Sequence, residues 1–160
     1  MRLKFQKYIL ISKDNTLLEY DSLDEINSNN VLPKIYYLPS FFYGTGHIIY
    51  QGALFYHSYN TRNLIKYDLH LNRITALLVL DLSHNDTVEE KCRVYSDHRD
   101  HVGCVDFNVD ENGVWLIYRN ASRQSIFVAS LNVEDLSIQK RIIIRFGNKE
   151  SPVKFLVIYF

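Results

Sequence analysis

The sequence has 160 residues, and its 18 Lys and Arg balance its 18 Asp and Glu. That length suits one domain with a hydrophobic core, and the neutral charge offers no positive field for phosphates, so we expect no nucleic-acid partner. Apolar runs are far shorter than the roughly 20 residues of a membrane helix, so we expect no membrane insertion.

Short segments with a period of two dominate the chain, and their β-branched and aromatic residues predict strands. The predicted strands are 7–12, 16–20, 35–38, 47–51, 53–57, 64–69, 74–80, 114–118, 126–131 and 138–146. A short helix is predicted over 22–26, with Ser22 as N-cap and Glu25 completing a capping box. Turns are predicted at 13–16, 50–52 and 112–113, where Asn or Gly tolerates a positive φ. The fold class is therefore all-β.

A weak internal repeat places similar strand ends at 18–21, 65–68 and 129–132. Repeats of roughly 40 to 50 residues in an all-β chain are typical of propeller blades. At that blade length the chain supplies about three blades, whereas a closed ring needs at least about four. An open arc exposes sheet edges, so the pattern predicts self-association.

Two segments in register resemble the olfactomedin domain. The first is 44–56, GTGHIIYQGALFY, continued by 59–69, and the second is 105–118, VDFNVDENGVWLIY. The resemblance implies an incomplete five-bladed β-propeller of olfactomedin type, with about three blades present. It also implies a partial domain over 1–146, followed by a divergent C-terminal tail over 147–160.

The same resemblance implies a non-catalytic module of secreted or cell-surface proteins, one that binds other proteins in matrix, adhesion or signalling roles. We expect extracellular or cell-surface protein partners, although the N-terminus itself does not read as a signal peptide. The alternative is an intracellular propeller-type hydrolase or carbohydrate-binding enzyme with its site in the channel mouth. The sequence has no GxSxG elbow, HExxH motif or phosphate-binding glycine loop.

On a strand, Asp106, Asn108 and Asp110 would share one face, a pattern that suits either a solvated surface or a Ca²⁺ ion. An EF-hand is excluded, because its loop requires Gly where Glu111 stands and Glu where Ile117 stands. The resemblance places Asp106 on the family's calcium-binding Asp, whereas the family's other ligands, an Asn and a late Asp, have no counterpart here. Calcium is therefore expected in a complete domain, without tight binding to this chain.

A polar stretch carries further candidate sites. A transition-metal cluster is one interpretation of its residues Cys92, Asp97, His98, Asp100, His101 and Cys104, although their spacing fits no zinc template. A disulfide between Cys92 and Cys104 is another, and the sequence leaves the choice open. Two sequons, at Asn85 and Asn120, predict N-glycosylation if the chain is secreted.

Overall fold

A computed structural model describes residues 7–11, 15–27, 31–42, 46–59, 61–80, 105–120 and 125–145. These residues form three antiparallel sheets and one short helix. The strands are β1 (Lys7–Ile11), β2 (Thr16–Tyr20), β3 (Lys34–Tyr37), β4 (Ile48–Tyr50), β5 (Ala53–His57), β6 (Asn63–Asp68), β7 (Arg73–Val79), β8 (Val105–Asp110), β9 (Gly113–Asn120), β10 (Ser125–Leu131) and β11 (Ile138–Arg145), and the helix is α1 (Leu23–Asn27).

Each sheet is built from strands that follow one another along the chain. The first sheet has the order β1-β2-β3, the second β4-β5-β6-β7 and the third β8-β9-β10-β11. Asn15, Gly52 and Gly113 have positive φ angles of 50°, 75° and 122° at the hairpin turns, as predicted from the residue types. The all-β prediction is confirmed, and ten of the strands agree with the predicted ones to within two residues at either end.

Strand β8 was not among the strands predicted from alternation. Asp106, Asn108 and Asp110 have low strand propensity and mask the pattern, but Val105 and Phe107 are buried on the opposite face. Burial of that face against the second sheet overrides the poor propensity of the polar residues.

Helix α1 begins after Ser22, whose Oγ accepts a hydrogen bond of 3.3 Å from the Glu25 amide. The Glu25 carboxylate accepts a hydrogen bond of 2.9 Å from the amide of Asp21, one residue before the expected capping-box donor. Because an N-cap residue lies outside the helix, the helical residues start one position later than predicted.

The three repeated strand ends occupy equivalent positions in the fold. They belong to β2, β6 and β10, and each of these strands lies directly beside the outermost strand of its sheet. The repeat inferred from the sequence therefore corresponds to the three successive sheets, the first with three described strands and the others with four.

The second sheet is packed between the other two. Ala53 and Phe55 contact the core of the third sheet, and the rings of Phe55 and Phe107 lie 6.2 Å apart. Leu54 and Tyr56 belong to a separate core shared with the first sheet. All five residues of β5 are consequently buried, and β5 lacks the alternating exposure of a strand that has one solvated face.

The third sheet is fixed to the second by a tight turn between β10 and β11. Leu136 in this turn is fully buried in the shared core although its φ is 63°, a strained value for a residue with a branched side chain. Its amide donates to the Asn132 carbonyl at 2.9 Å. Glu134 of the same turn forms an ion pair of 3.9 Å with Lys66 of the second sheet.

Among the described residues, α1 is the sole helix, and no helix there has the length and apolarity to cross a membrane.

Candidate functional site at the inner edge of the sheets

The second and third sheets meet where their first strands, β4 and β8, run side by side. The Phe107 amide donates a hydrogen bond of 2.9 Å to the Gly46 carbonyl, just before β4 begins. In a propeller the first strands of the blades line the central channel. This inner edge is therefore the place where polar side chains from successive blades can come together.

Gly46 lies directly against Asp106. A Cβ added to Gly46 would stand 2.3 Å from the Asp106 Oδ1, 2.4 Å from the Val105 carbonyl oxygen and 2.6 Å from the Asp106 Cα. Two of these three neighbours belong to backbone, which cannot rotate away. Only glycine permits this close approach of the chain at residue 46 to Val105 and Asp106.

Asp106 is partly buried at this edge. Burial raises the pKa of its carboxyl, because the charged form loses hydration. Since burial costs the ionised carboxylate part of its hydration, Asp106 is a candidate for binding a cation or a polar partner.

The other two polar residues of β8 are engaged locally. Asn108 accepts a hydrogen bond of 2.8 Å from the neighbouring Val109 amide. The Asp110 carboxylate accepts bonds from Asn112, of 2.8 Å to the amide and 3.3 Å to the side chain. Hydrogen bonds, chiefly from Trp115 and also from Asn112, lower the pKa of Asp110. The three residues share one face of β8, as predicted, but Asp106 alone of them is placed against the second sheet.

Two histidines, His47 and His57, belong to the second sheet or its flanks, and each contacts neighbouring groups of the fold. The His47 ring contacts the Phe42 ring edge-to-face, with centroids 5.1 Å apart. His57 is buried at the end of β5, where its Nε2 lies 2.8 Å from the Thr61 carbonyl oxygen. Burial lowers the pKa of His57, so the neutral ring is favoured.

The sequence-predicted sites in the polar stretch, Asn85, Cys92, Cys104 and the metal cluster between the two cysteines, lie outside the described residues. Asn120 is described as the last residue of β9 and pairs in register with Ser125. The sequon at Asn120 therefore starts on the last residue of a strand. Both glycosylation sites and the disulfide remain predictions.

A second polar feature was not expected from the sequence: a buried contact between β2 and β3, on the face of the first sheet that packs against the second. There the Tyr36 hydroxyl donates a hydrogen bond to the Glu19 carboxylate. Both residues sit in segments that read as ordinary alternating strands. The register pairs Glu19 with Lys34 and Leu17 with Tyr36, and this register is known from the structure alone.

The inner edge supplies only part of a calcium site. Ca²⁺ takes six to eight oxygen ligands, and the described side chains provide one carboxylate here, Asp106. The part of the chain that is described contains no group of three or more His, Cys, Asp or Glu arranged to hold a metal. The donor type at Asp106 suits Ca²⁺, while the number of donors does not.

Three antiparallel sheets that pack face to face in succession, with the first strands of the second and third sheets in contact at an inner edge, define an arc of a β-propeller. Residues 4–158 match the olfactomedin-like domain family. The chain belongs to that family, and its fold is an incomplete olfactomedin-type propeller of three blades.

Similar proteins include an adhesion receptor. The chain is 32% identical over 119 residues to the adhesion G protein-coupled receptor L1 of Homo sapiens, and equally to that of Mus musculus. The match covers 74% of this chain and 8% of the receptor.

Among solved structures, the dihydro-heme d1 dehydrogenase NirN in complex with DHE aligns with a TM-score of 0.52 at 15% identity. That alignment covers 88% of this chain and 26% of the dehydrogenase. At this identity the likeness concerns the fold alone.

Proposed function

We propose that this chain is a non-catalytic, extracellular protein-interaction module that acts in cell-surface adhesion or signalling. The observation that carries the proposal is the match of 119 residues, at 32% identity, to an adhesion receptor, together with membership of the olfactomedin-like family. Because the chain spans 8% of that receptor, the proposal concerns the role of this domain and not the activity of the whole receptor.

The arrangement at the inner edge supports binding over catalysis. A glycoside hydrolase would require two carboxyl groups about 5 to 9.5 Å apart around its substrate. On β8, Asp110 is held by its own turn, while Asp106 is set against the Gly46 backbone. This arrangement favours a structural or cation-binding carboxylate over an acid–base pair.

The test is to produce residues 1–160 behind a signal peptide as an Fc fusion and to measure binding to cultured cells. We expect saturable binding that protease treatment of the cells removes, because the partner is a protein. The Fc portion alone is the matched control. Binding no stronger than that of Fc would contradict the proposal. So would turnover of glycoside or ester substrates that Asp106→Asn abolishes.

We further propose that Ca²⁺ binds weakly to this chain and that tight binding requires ligands from additional blades. The single half-buried carboxylate of Asp106 supports this, because water would have to supply most of the six to eight ligands. Calorimetry of residues 1–160 with CaCl₂, compared with Asp106→Ala, provides the test. Micromolar affinity that Asp106→Ala removes would contradict the proposal.

A further inference from the structure

The outermost strand of the third sheet, β11, forms an open edge. It pairs with β10 on one side and ends the order of the described sheet on the other. Its residues 139–145 are all exposed. An open strand edge presents unpaired amides and carbonyls to which another strand can add.

Strand β11 also carries a distinctive charge. Its sequence IQKRIIIR contains Lys140, Arg141 and Arg145 and no acidic residue. The corresponding edge strand of the second sheet, β7, has the sequence RITALLV, with Arg73 as its one charged residue. Strand β11 therefore carries three positive charges, whereas the edge strands β3 and β7 carry one each, Lys34 and Arg73.

A groove lies beside the two arginines. Register places Arg145 opposite Ser125 and Ile143 opposite Phe127, and these four residues line a cavity of about 360 Å³. Ser125 and Phe127 are buried, so the floor of the groove is fixed by the core. The Arg141 guanidinium lies 5.5 Å from the centroid of the Phe127 ring, at the same face.

The two faces of β11 differ. Arg141, Ile143 and Arg145 alternate with Ile142 and Ile144, which are 46% and 40% exposed on the opposite face. A strand added to this edge would meet positive charge at two positions four residues apart on one face. On its other face it would meet apolar surface.

Charge argues against a second copy of β11 as the added strand. Antiparallel pairing of two copies about Ile143 would set Arg141 directly opposite Arg145, twice. Like charges in directly opposed positions destabilise a strand pair. In this register the edge is unsuited to a second copy of itself, whereas an acidic strand in the same register would be complementary to it.

We propose that the β11 edge binds an extended peptide segment of a partner protein by strand addition, with acidic residues opposite Arg141 and Arg145 and an apolar residue between them. Main-chain hydrogen bonds would supply affinity, and the arginine pair and the groove would supply specificity. This inference deepens the proposed function and rests on it, because it names a surface and a partner chemistry for the interaction module.

The probe is a palindromic nine-residue peptide, threonine-valine-glutamate-valine-leucine-valine-glutamate-valine-threonine, which fits the edge in either direction. It is immobilised on a biosensor and exposed to residues 1–160. Two control peptides have lysine in place of both glutamates, or the same composition with adjacent glutamates. We expect binding to the first peptide and at least about tenfold weaker binding to each control. Equal binding to all three would overturn the proposal.

Charge reversal on the protein locates the site. Arg141→Glu with Arg145→Glu should weaken binding of the acidic peptide by roughly three- to thirtyfold, whereas Arg73→Glu on β7 should leave it unchanged. Thermal unfolding of each variant is measured alongside, and the peptide comparison on the unaltered chain decides the question if the double variant does not fold.

Peptide binding to residues 1–145 but not to 1–160 would assign the edge to the chain's own tail and overturn the proposal.

The two proposals fail separately. Cell binding by the Fc fusion that Arg141→Glu with Arg145→Glu leaves intact, with no binding of the acidic peptide, would remove the strand site and leave the interaction module standing. Absence of cell binding by the unaltered Fc fusion would remove the module itself.

Discussion

Tyr36 donates its hydroxyl hydrogen bond to the Glu19 carboxylate inside the interface between the first and second sheets. The two residues are 3% and 9% exposed. The Lys34 ammonium lies 4.5 Å from the centroid of the Tyr36 ring, so the ring connects a cation and a carboxylate. A buried carboxylate that lost this hydroxyl would keep its desolvation cost without compensation.

The Tyr36 hydroxyl should make the stability of the fold fall at high pH. Burial, then the hydrogen bond and charge of Glu19, raise the pKa of Tyr36 above its ordinary value of about 10. The stability that Tyr36 contributes is thus complete below pH 10 or so and is lost as the pH rises toward the folded-state pKa.

Urea unfolding between pH 8 and 11 measures this effect, with Tyr36→Phe as the test and Tyr37→Phe, at an exposed position, as the control. Tyr36→Phe should cost about 1 to 3 kcal/mol at neutral pH and flatten the alkaline decline. Identical pH profiles for the wild type and Tyr36→Phe would show that Tyr36 is not the titrating group.

Gly46→Ala should destabilise the chain strongly, because the new methyl group would collide with the Val105 carbonyl and the Asp106 backbone. Overpacking of this kind costs about 1 to 3 kcal/mol or more. Gly52→Ala is the comparison: its φ of 75° disfavours alanine, but a Cβ there meets no atom within 4 Å, so we expect a loss near 1 kcal/mol. Chemical denaturation that ranks Gly52→Ala as the more damaging change would contradict the close approach.

Much of this fold follows from the sequence because its strands repeat. The equivalent positions of β2, β6 and β10 were visible as similar strand ends, and the hairpin turns as Asn and Gly. The uniform burial of β5 was not visible, because it depends on a third layer that alternation within one strand does not report. The positive φ of Leu136 could not be predicted either, since burial of its side chain in the core outweighs the backbone preference of leucine.

At the site, sequence reasoning identified Asp106 and grouped it with Asn108 and Asp110 on one strand face. What separates them is the local hydrogen bonding of Asn108 and Asp110 and the contact of Asp106 with Gly46. Gly46 lies far from Asp106 along the chain, so that contact depends on tertiary packing. A glycine directly before a strand was a signal for close backbone approach, without indicating its partner.

Asp106→Asn should stabilise the chain at neutral pH in the absence of Ca²⁺. Burial raises the pKa of Asp106, so the folded state favours the protonated carboxyl. The stability that the Asp106 carboxyl contributes is complete below its unfolded-state pKa of about 3.9 and is lost as the pH rises through its folded-state pKa. The gain from Asn should therefore vanish in acid. Thermal unfolding at pH 3.5 and pH 7 measures this, and a variant less stable than the parent at pH 7 would contradict it.

Asn85 should carry glycan more fully than Asn120 when the chain is secreted. Asn120 ends a strand and pairs with Ser125, which restricts the extended access that a modifying enzyme requires. Asn85 belongs to a polar stretch of the sequence. Peptide mapping after enzymatic deglycosylation reports occupancy at each site. Full occupancy of Asn120 with an unmodified Asn85 would reverse the expectation.

The third sheet has an apolar face directed away from the second sheet. Register places Ile142 beside Val128 and Ile144 beside Ile126, opposite to the face that carries Phe127. Both faces of the second sheet, in contrast, are covered by neighbouring sheets. Blades are stabilised by burying such faces against one another, so this face favours association.

We therefore expect residues 1–160 to self-associate, and Ile142→Thr with Ile144→Thr to reduce that association. The control is Leu77→Thr on β7, a position of similar exposure, 49%, on an edge strand of the middle sheet. Shortening the chain to residues 1–145 removes the apolar run FLVIYF and should also reduce association. Size-exclusion chromatography with light scattering, across a range of concentrations, measures each form. A parent chain that stays monomeric with one sharp unfolding transition would refute the prediction, as would equal effects of the Leu77 and Ile142/Ile144 changes.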